Sequence, residues 1–259
     1  MHILAIASAK GGVGKSTVAS HLSGALAFKG AEVLLVDADP QGGSTCAVGA
    51  GVPQEHLAFT AQLLSGAQLA TQRIGSMPGL RVVGARPDVD SLQLTFPQGH
   101  LRAHLERVTP VPDFVILDLA PSLEPLTLAC LGDADGTLVV LTPTALTLRT
   151  LPTLLQELRH ACPHASVEGL LINHLGAVGG TAKLVLRSVH ERFGDWVFPV
   201  ELPEDECIQR AMLEGHLVFW EDETSPSSRA FLRMADELLI RYPGHADPDE
   251  PISGVEARE

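Results

Sequence analysis

A glycine-rich segment bounded by two lysines lies near the start of the chain. It reads Lys10-Gly11-Gly12-Val13-Gly14-Lys15-Ser16, and it follows the apolar run 3–6 and precedes a run of helical spacing, 16–29. A strand, a glycine-rich turn and a helix N-terminus bring free backbone N–H groups and the positive end of the helix dipole together. The segment therefore predicts a phosphate-binding loop.

The residue types in this loop suit a nucleotide triphosphate. Its glycines can adopt positive φ and let backbone N–H groups approach phosphate oxygens closely. Lys15 is placed to reach the β- and γ-phosphates, the Ser16 hydroxyl to bind Mg²⁺, and Thr17 to face the α-phosphate. We therefore expect a function driven by nucleotide binding.

Three aspartates are candidates for supporting Mg²⁺ and for orienting an attacking water. Asp37 ends the apolar run 32–36, Asp39 follows it, and Asp118 ends the apolar run 114–117. Buried parallel strands deliver such residues to the carboxyl edge of a sheet, where a phosphate-bound Mg²⁺ and an attacking water need carboxylates. Taken alone, each aspartate is more typical of a turn or helix cap.

The order of apolar and amphipathic runs predicts an α/β fold. Apolar runs alternate with runs of helical spacing, which favours a three-layer α/β/α architecture with a mainly parallel central sheet. The predicted strands after the first are 32–37, 80–84, 114–118, 137–142 and 169–173, and the predicted helices include 16–29, 57–64, 100–108 and 151–162. We expect one domain over residues 1–241 and a disordered, acidic tail over 242–259.

Composition limits the possible partners. The 259 residues include 18 Lys and Arg against 31 Asp and Glu, a formal charge of −13, which argues against a broadly basic nucleic-acid binder. No apolar run reaches membrane-spanning length, and no signal peptide precedes the first strand, so we expect a cytoplasmic protein. The four cysteines form no C-x-x-C pair and are expected to be reduced.

The loop departs from the standard phosphate-loop pattern in an informative way. Ala9 stands where the first glycine belongs, and Lys10 is an additional lysine at the front. This resembles the deviant Walker A motif of the ParA/MinD superfamily of P-loop NTPases. The resemblance implies ATP and Mg²⁺ as cofactors. It also implies an ATP-bound homodimer in which Lys10 crosses the interface to the partner's nucleotide.

The segment 37–42 is similar to the D-x-D-P-Q-G signature of the same superfamily. That resemblance assigns Asp39 to positioning of the lytic water and Asp37 to support of the metal site. Asp118 resembles the Walker B aspartate. The implied catalytic residues are Lys10, Lys15 and Asp39, and the implied metal-site residues are Ser16, Asp37 and Asp118.

Further matches imply adenine contacts. Asn173 resembles the asparagine on the adenine side of the family's site, and Pro203 and Asp205 lie in a segment similar to the one that wraps the base.

The closest family pattern is that of short ParA-type ATPases, which bind DNA without sequence preference. The implied role is partition of a chromosome or plasmid, with a ParB-like partner that stimulates hydrolysis and with nucleoid association. The residues that could contact DNA are Lys183, Arg187 and Arg192, which we expect on one side of a helix, and Arg210. An ordinary solvated helix face explains them equally well.

Two other functions fit the same motifs. The first is a ParA-like ATPase that positions a protein assembly rather than a replicon. The second is a MinD-like regulator that cycles on a membrane, which is disfavoured because residues 243–259 contain prolines, glycine and acids instead of a basic amphipathic helix.

Overall fold

The computed structural model describes residues 1–66, 68–75, 77–86, 94–162, 166–174 and 179–243. Of the tail predicted to be disordered, residues 244–259 lie outside these ranges. The last described helix ends at Arg241.

A single seven-stranded sheet forms the centre of the described chain, in the order β3-β4-β2-β5-β1-β6-β7. All neighbouring strands run parallel except β3, which is antiparallel to β4. The prediction of a mainly parallel sheet is confirmed. The strands are β1 His2–Ala7, β2 Val33–Asp37, β3 Gln72–Arg73, β4 Leu80–Val83, β5 Phe114–Asp118, β6 Gly136–Leu141 and β7 Ser166–Ile172.

Helices connect the strands and cover the sheet. None of the described helices combines the length and the hydropathy needed to cross a membrane. Short 3₁₀ turns precede α3 and follow α7. The helices are α1 Lys15–Phe28, α2 Gly43–Ala47, α3 Phe59–Ser65, α4 His100–Leu105, α5 Pro125–Asp133, α6 Ala145–Ala161, α7 Gly180–Phe193, α8 Glu206–Glu214, α9 Val218–Glu221 and α10 Pro226–Arg241.

Two apolar cores lie on opposite faces of the sheet, which confirms the three-layer architecture. Successive side chains of a strand point to opposite faces, so Leu35 of β2 packs with α1 and α10 while Leu34 packs with α5 and α6. Both faces are buried, which explains why the parallel strands read as continuous apolar runs rather than alternating ones. On the α1 face, Phe231 of α10 stacks on His21 of α1 with a ring-centroid distance of 5.2 Å.

Helix α6 and strand β3 are two of the elements that differ from the prediction. Helix α6 begins at Ala145 rather than Leu151, so that Pro152 lies inside it. Pro152 lacks an N–H donor and weakens the helix locally, but the buried face formed by Leu151, Leu154 and Leu158 holds the helix on the sheet. Strand β3 has only two residues, both exposed, and carries no apolar pattern by which it could be predicted.

Candidate nucleotide-binding site

The glycine-rich loop ends at the first residue of α1. Gly12 and Gly14 have φ values of 74° and 91°, which a residue with a Cβ rarely adopts. Gly14 is the N-cap of α1 and provides no side chain to accept the N–H groups of the first turn. These donors and the helix dipole therefore point to the place where an anion would bind.

Lys15 occupies the first position of α1 with only 6% of its surface exposed. Burial lowers the pKa of its ammonium group, and the nearby carboxylates of Asp118 and Asp39 partly reverse that shift. A buried cation beside the loop is thus held near two carboxylates. The structure brings these three predicted residues together.

Asp118 is a fully buried carboxylate of the site. It ends β5 directly opposite Asp37 at the end of β2, and both side chains are fully buried. Neither carboxylate oxygen of Asp118 has a hydrogen-bond partner among the described residues. Burial and then repulsion from Asp37 raise its pKa, although the hydroxyls of Ser16 and Ser44 lie close enough to oppose the shift. A buried carboxylate without donors, next to the Ser16 hydroxyl, fits the oxygen ligands of a hydrated Mg²⁺.

Asp37 is held differently, because its oxygens already accept hydrogen bonds. One oxygen accepts the N–H of Thr45 at 2.8 Å and the Thr45 hydroxyl at 2.6 Å, and the other accepts the N–H of Asp39 at 3.2 Å. Burial raises the pKa of Asp37, and the bonds from Thr45 oppose the increase. Asp37 therefore fixes the loop that carries Asp39. Its contribution to a metal site remains a prediction.

The loop after β2 approaches the phosphate loop closely. The Oδ1 of Asp39 accepts the N–H of Gln41 at 3.0 Å, and the side chain is only 7% exposed. A Cβ on Gly43 would lie 2.7 Å from the Oγ of Ser16, so only glycine allows this approach. The D-x-D-P-Q-G motif ends at Gly42 and does not include Gly43 or Thr45. Both residues nevertheless fix the position of the site.

Lys10 contacts its own chain. Its Nζ donates to the Oγ1 of Thr144, just before α6, at 3.2 Å, and the side chain is half-buried. Thr144 in turn lies 3.1 Å from the hydroxyl of Thr147. Nothing in the sequence pattern predicts this pairing, which spans 134 positions.

Asn173 joins the end of β7 to the phosphate loop. Its Nδ2 donates to the carbonyl of Val13 at 2.9 Å, and a Cβ on Gly14 would lie 2.5 Å from the same nitrogen. The backbone of Asn173 pairs with Leu202, the residue before the half-buried Pro203. The predicted adenine segment therefore lies beside the loop, while its contact with a base remains a prediction.

Asp205 connects two helices of the C-terminal region. Its Oδ1 accepts the N–H of Cys207 at 2.9 Å and so caps α8, and its Oδ2 accepts the N–H of Ser227 in the first turn of α10 at 3.0 Å. Burial alone would raise the pKa of this carboxyl, but the two N–H donors outweigh burial and lower it. Further along α8, Met212 accepts the Thr17 hydroxyl with a 3.4 Å contact.

The four candidate DNA contacts do not form one strip. Lys183 and Arg187 lie one turn apart on α7, but an α-helix turns about 100° per residue, which puts Arg192 about 140° around from Arg187. The prediction that these three share one side of the helix is therefore wrong for Arg192. Arg187 pairs with Glu191 at 2.7 Å, and Arg210 of α8 pairs with Glu221 at 2.6 Å.

Removing the charge of Asp118 should stabilise the nucleotide-free protein. Its folded-state pKa lies above the unfolded value of about 4, so the stability it provides when protonated is lost as the pH rises from about 4 to about 7. Asp118→Asn should raise the free energy of unfolding at pH 8 by on the order of 2 kcal/mol and flatten this decline. Urea unfolding of the wild-type protein and of Asp118→Asn at several pH values measures this difference. Asp195→Asn, at an exposed position, is the control. An equal decline in all three proteins would contradict the expectation.

Removing the Asp205 carboxylate should weaken the joint between α8 and α10. Asp205→Ala deletes one helix cap and one further bond to a backbone N–H, which should cost about 1–2 kcal/mol of unfolding free energy. Exposed Glu204→Ala is the matched control. Equal urea midpoints for the two variants would show that this carboxylate does not stabilise the fold.

Comparison with known proteins agrees with this geometry. Residues 1–166 match the model of a family described as AAA domain. The chain is 30% identical over 253 residues to the chromosome partitioning protein ParA of Caulobacter vibrioides, covering 93% of this chain and 95% of that protein. It is 33% identical over 244 residues to the chromosome-partitioning ATPase Soj of Thermus thermophilus, covering 92% and 95%.

A solved structure shows the same fold. The septum site-determining protein MinD of Pyrococcus horikoshii OT3, in complex with Mg-ADP, superposes with a TM-score of 0.72 at 22% identity, covering 92% of this chain and 95% of that one. The family match, the relatives and the buried Lys15–Asp118 site converge on one assignment. The chain belongs to the ParA/MinD superfamily of P-loop ATPases and is of the short ParA type.

Proposed function

We propose that this chain is an ATP-driven switch for partition of a chromosome or plasmid. In this cycle two copies close around ATP and Mg²⁺, the dimer binds DNA without sequence preference, and a ParB-like partner stimulates the hydrolysis that reopens it. The observation that carries the proposal is the buried Asp118, which has no hydrogen-bond partner in the described chain and lies beside Lys15 and Ser16. The working location is the cytoplasm, at the nucleoid.

The residues of the loop suit ATP with Mg²⁺. Backbone N–H groups of 11–17 would cradle the phosphates, and Lys15 would bind the β- and γ-phosphates. The Ser16 hydroxyl and, through water, Asp118 would hold the ion, which when bound neutralises developing phosphate charge. Asp39 would orient the attacking water, and Asp37 keeps Asp39 in place through the loop bond of 3.2 Å.

The acceptor of the Lys10 ammonium would differ between the single chain and the ATP-bound dimer. In the single chain it donates to the neutral hydroxyl of Thr144 at 3.2 Å. Across a dimer it would meet the partner's γ-phosphate, whose negative charge attracts the ammonium in a way that the neutral Thr144 hydroxyl does not. Hydrolysis would remove that acceptor. The dimer is therefore favoured only while ATP is intact.

DNA binding would rest on Lys183 and Arg187, which share one exposed face of α7. The ion pair between Arg187 and Glu191 is exposed and therefore weak, so a phosphate can replace it. The net charge of −13 opposes approach to a polyanion, so binding would depend on these local contacts. Each Lys or Arg that neutralises a phosphate releases counterions and makes the binding weaken with salt.

A ParA-like ATPase that positions a protein assembly is the second candidate. Pairing of Arg210 with the less exposed carboxylate of Glu221 favours it, because it reduces the positive charge available for DNA.

Loss of the Asp39 carboxylate should separate nucleotide binding from turnover. Asp39→Ala should still bind ATP with Mg²⁺ and accumulate the dimer, but release phosphate roughly 100-fold more slowly because the water is no longer oriented. Phosphate release and light scattering after size exclusion measure both properties. Lys15→Ala, which should not bind nucleotide, is the control. Unchanged turnover in Asp39→Ala would rule out the assigned role.

The most informative experiment is a DNA titration with ATP, ADP and no nucleotide at several salt concentrations. We expect tight binding only with ATP, falling steeply with salt. Lys10→Ala should bind ATP but not dimerise, and should bind DNA equally weakly with either nucleotide. The double variant Lys183→Ala/Arg187→Ala should lower the salt slope, whereas Arg210→Ala should leave it unchanged. Absence of DNA binding under all conditions would favour the protein-assembly candidate.

A further inference from the structure

A groove lies between the last turns of α6 and α7, away from the phosphate loop. Its volume is about 520 Å³. Helix α6 begins beside Thr144, the partner of Lys10, and its 17 residues extend about 25 Å, so the groove lies toward its far end. The lining residues are Pro152, Leu155, Gln156, Arg159, His160, Arg192, Phe193 and Trp196.

The groove combines an apolar floor with positive charge. Phe193, Leu155 and Trp196 supply the apolar surface, and Trp196 is 38% exposed. The guanidinium of Arg159 lies 5.6 Å from the centre of the Trp196 ring, and Arg192 stands on the other wall. Tryptophan and arginine are the residues that most often dominate binding energy at protein interfaces.

The charge of the groove is opposite to that of the chain. Acidic residues outnumber basic ones by 31 to 18 overall, yet the described residues that line the groove include two arginines and a histidine and no carboxylate. An occupant that brings carboxylates would therefore be attracted locally, whereas a long polyanion would be repelled by the net charge of −13. The apolar floor requires that the occupant also carry aliphatic or aromatic side chains.

We infer that this groove binds an acidic peptide segment of a partner protein, with an apolar anchor against Trp196 and carboxylates on Arg159 and Arg192. A free phosphate or nucleotide would use the arginines and leave the apolar floor exposed. The groove lies at the end of α6 remote from Lys10, so the partner can stay bound whether or not two copies have closed around nucleotide. The inference does not depend on the proposed ATP cycle.

Tryptophan fluorescence can test this inference in the full chain. The protein contains two tryptophans, so Trp220→Phe leaves Trp196 as the only one. The probe is a synthetic peptide that repeats Glu-Glu-Leu-Phe three times. We expect a saturable change in Trp196 emission that weakens with salt. Peptides with Lys in place of Glu, or with Ser in place of Leu and Phe, should give no saturable change.

Replacement of Arg159 or Arg192 tests whether the peptide binds in this groove. Arg159→Ala and Arg192→Ala, both at exposed positions, should each weaken peptide binding roughly tenfold, which corresponds to about 1.4 kcal/mol. Arg149→Ala removes an exposed arginine from the same helix outside the groove and should bind normally. Circular dichroism checks that each variant is folded.

Four outcomes would overturn the inference. The first is equal binding of the Glu and Lys peptides, and the second is peptide binding that neither arginine variant weakens. The third is an emission change without peptide when Asp247, Asp249 and Glu250 are replaced by Asn, Asn and Gln, because the occupant would then be the chain's own acidic segment. Stronger binding of oligothymidine than of the peptide would likewise replace a protein partner with single-stranded nucleic acid.

Discussion

Burial of unpaired charge at the carboxyl edge of the sheet is the constraint on which the nucleotide site depends. Asp118 and Lys15 are almost inaccessible to solvent, and Asp118 has no hydrogen-bond donor within the described chain. Such an arrangement is costly in the empty protein, because a buried carboxylate without hydrogen-bond donors has lost its hydration. A hydrated cation and a phosphate restore those interactions. The site is therefore built to be stabilised by its ligand rather than by its own contacts.

The neighbouring carboxylates of Asp37 and Asp118 at this edge have different hydrogen bonding. Asp37 uses its oxygens to hold Thr45 and the loop of Asp39, whereas Asp118 keeps both of its oxygens free of hydrogen bonds in the described structure. The same residue type, at the same register on adjacent strands, thus holds a loop in one case and in the other leaves a carboxylate available for the ion that we propose. The difference comes from the loops that follow the strands, and those loops differ in sequence.

The fold and the phosphate loop could be predicted because local patterns encode them. Strand β5 was predicted at its observed bounds, since an apolar run that ends in a carboxylate has few other interpretations. The contacts of Lys10 with Thr144 and of Asp205 with Ser227 could not be predicted, because the partners are far apart in sequence and meet only through packing of whole helices. Arg192 lies off the face of Lys183 and Arg187 because each residue of an α-helix turns by about 100°, so proximity in sequence does not place residues on one face.

A closed ring of contacts runs through the helices on one face of the sheet. The Thr17 carbonyl lies 2.9 Å from the ring nitrogen of His21, whose ring stacks on Phe231 of α10. In the first turn of α10, the Ser227 N–H donates to Asp205, which caps α8. The Thr17 hydroxyl donates to Met212 of α8 and so closes the ring.

The ring links the phosphate end of the site to the segment expected to hold the base through contacts within one chain. The C-terminal helix is consequently a structural member of the nucleotide site. A fusion appended after Tyr242 leaves these contacts in place, whereas a chain that ends before Phe231 loses the stacking of α10 on His21 of α1.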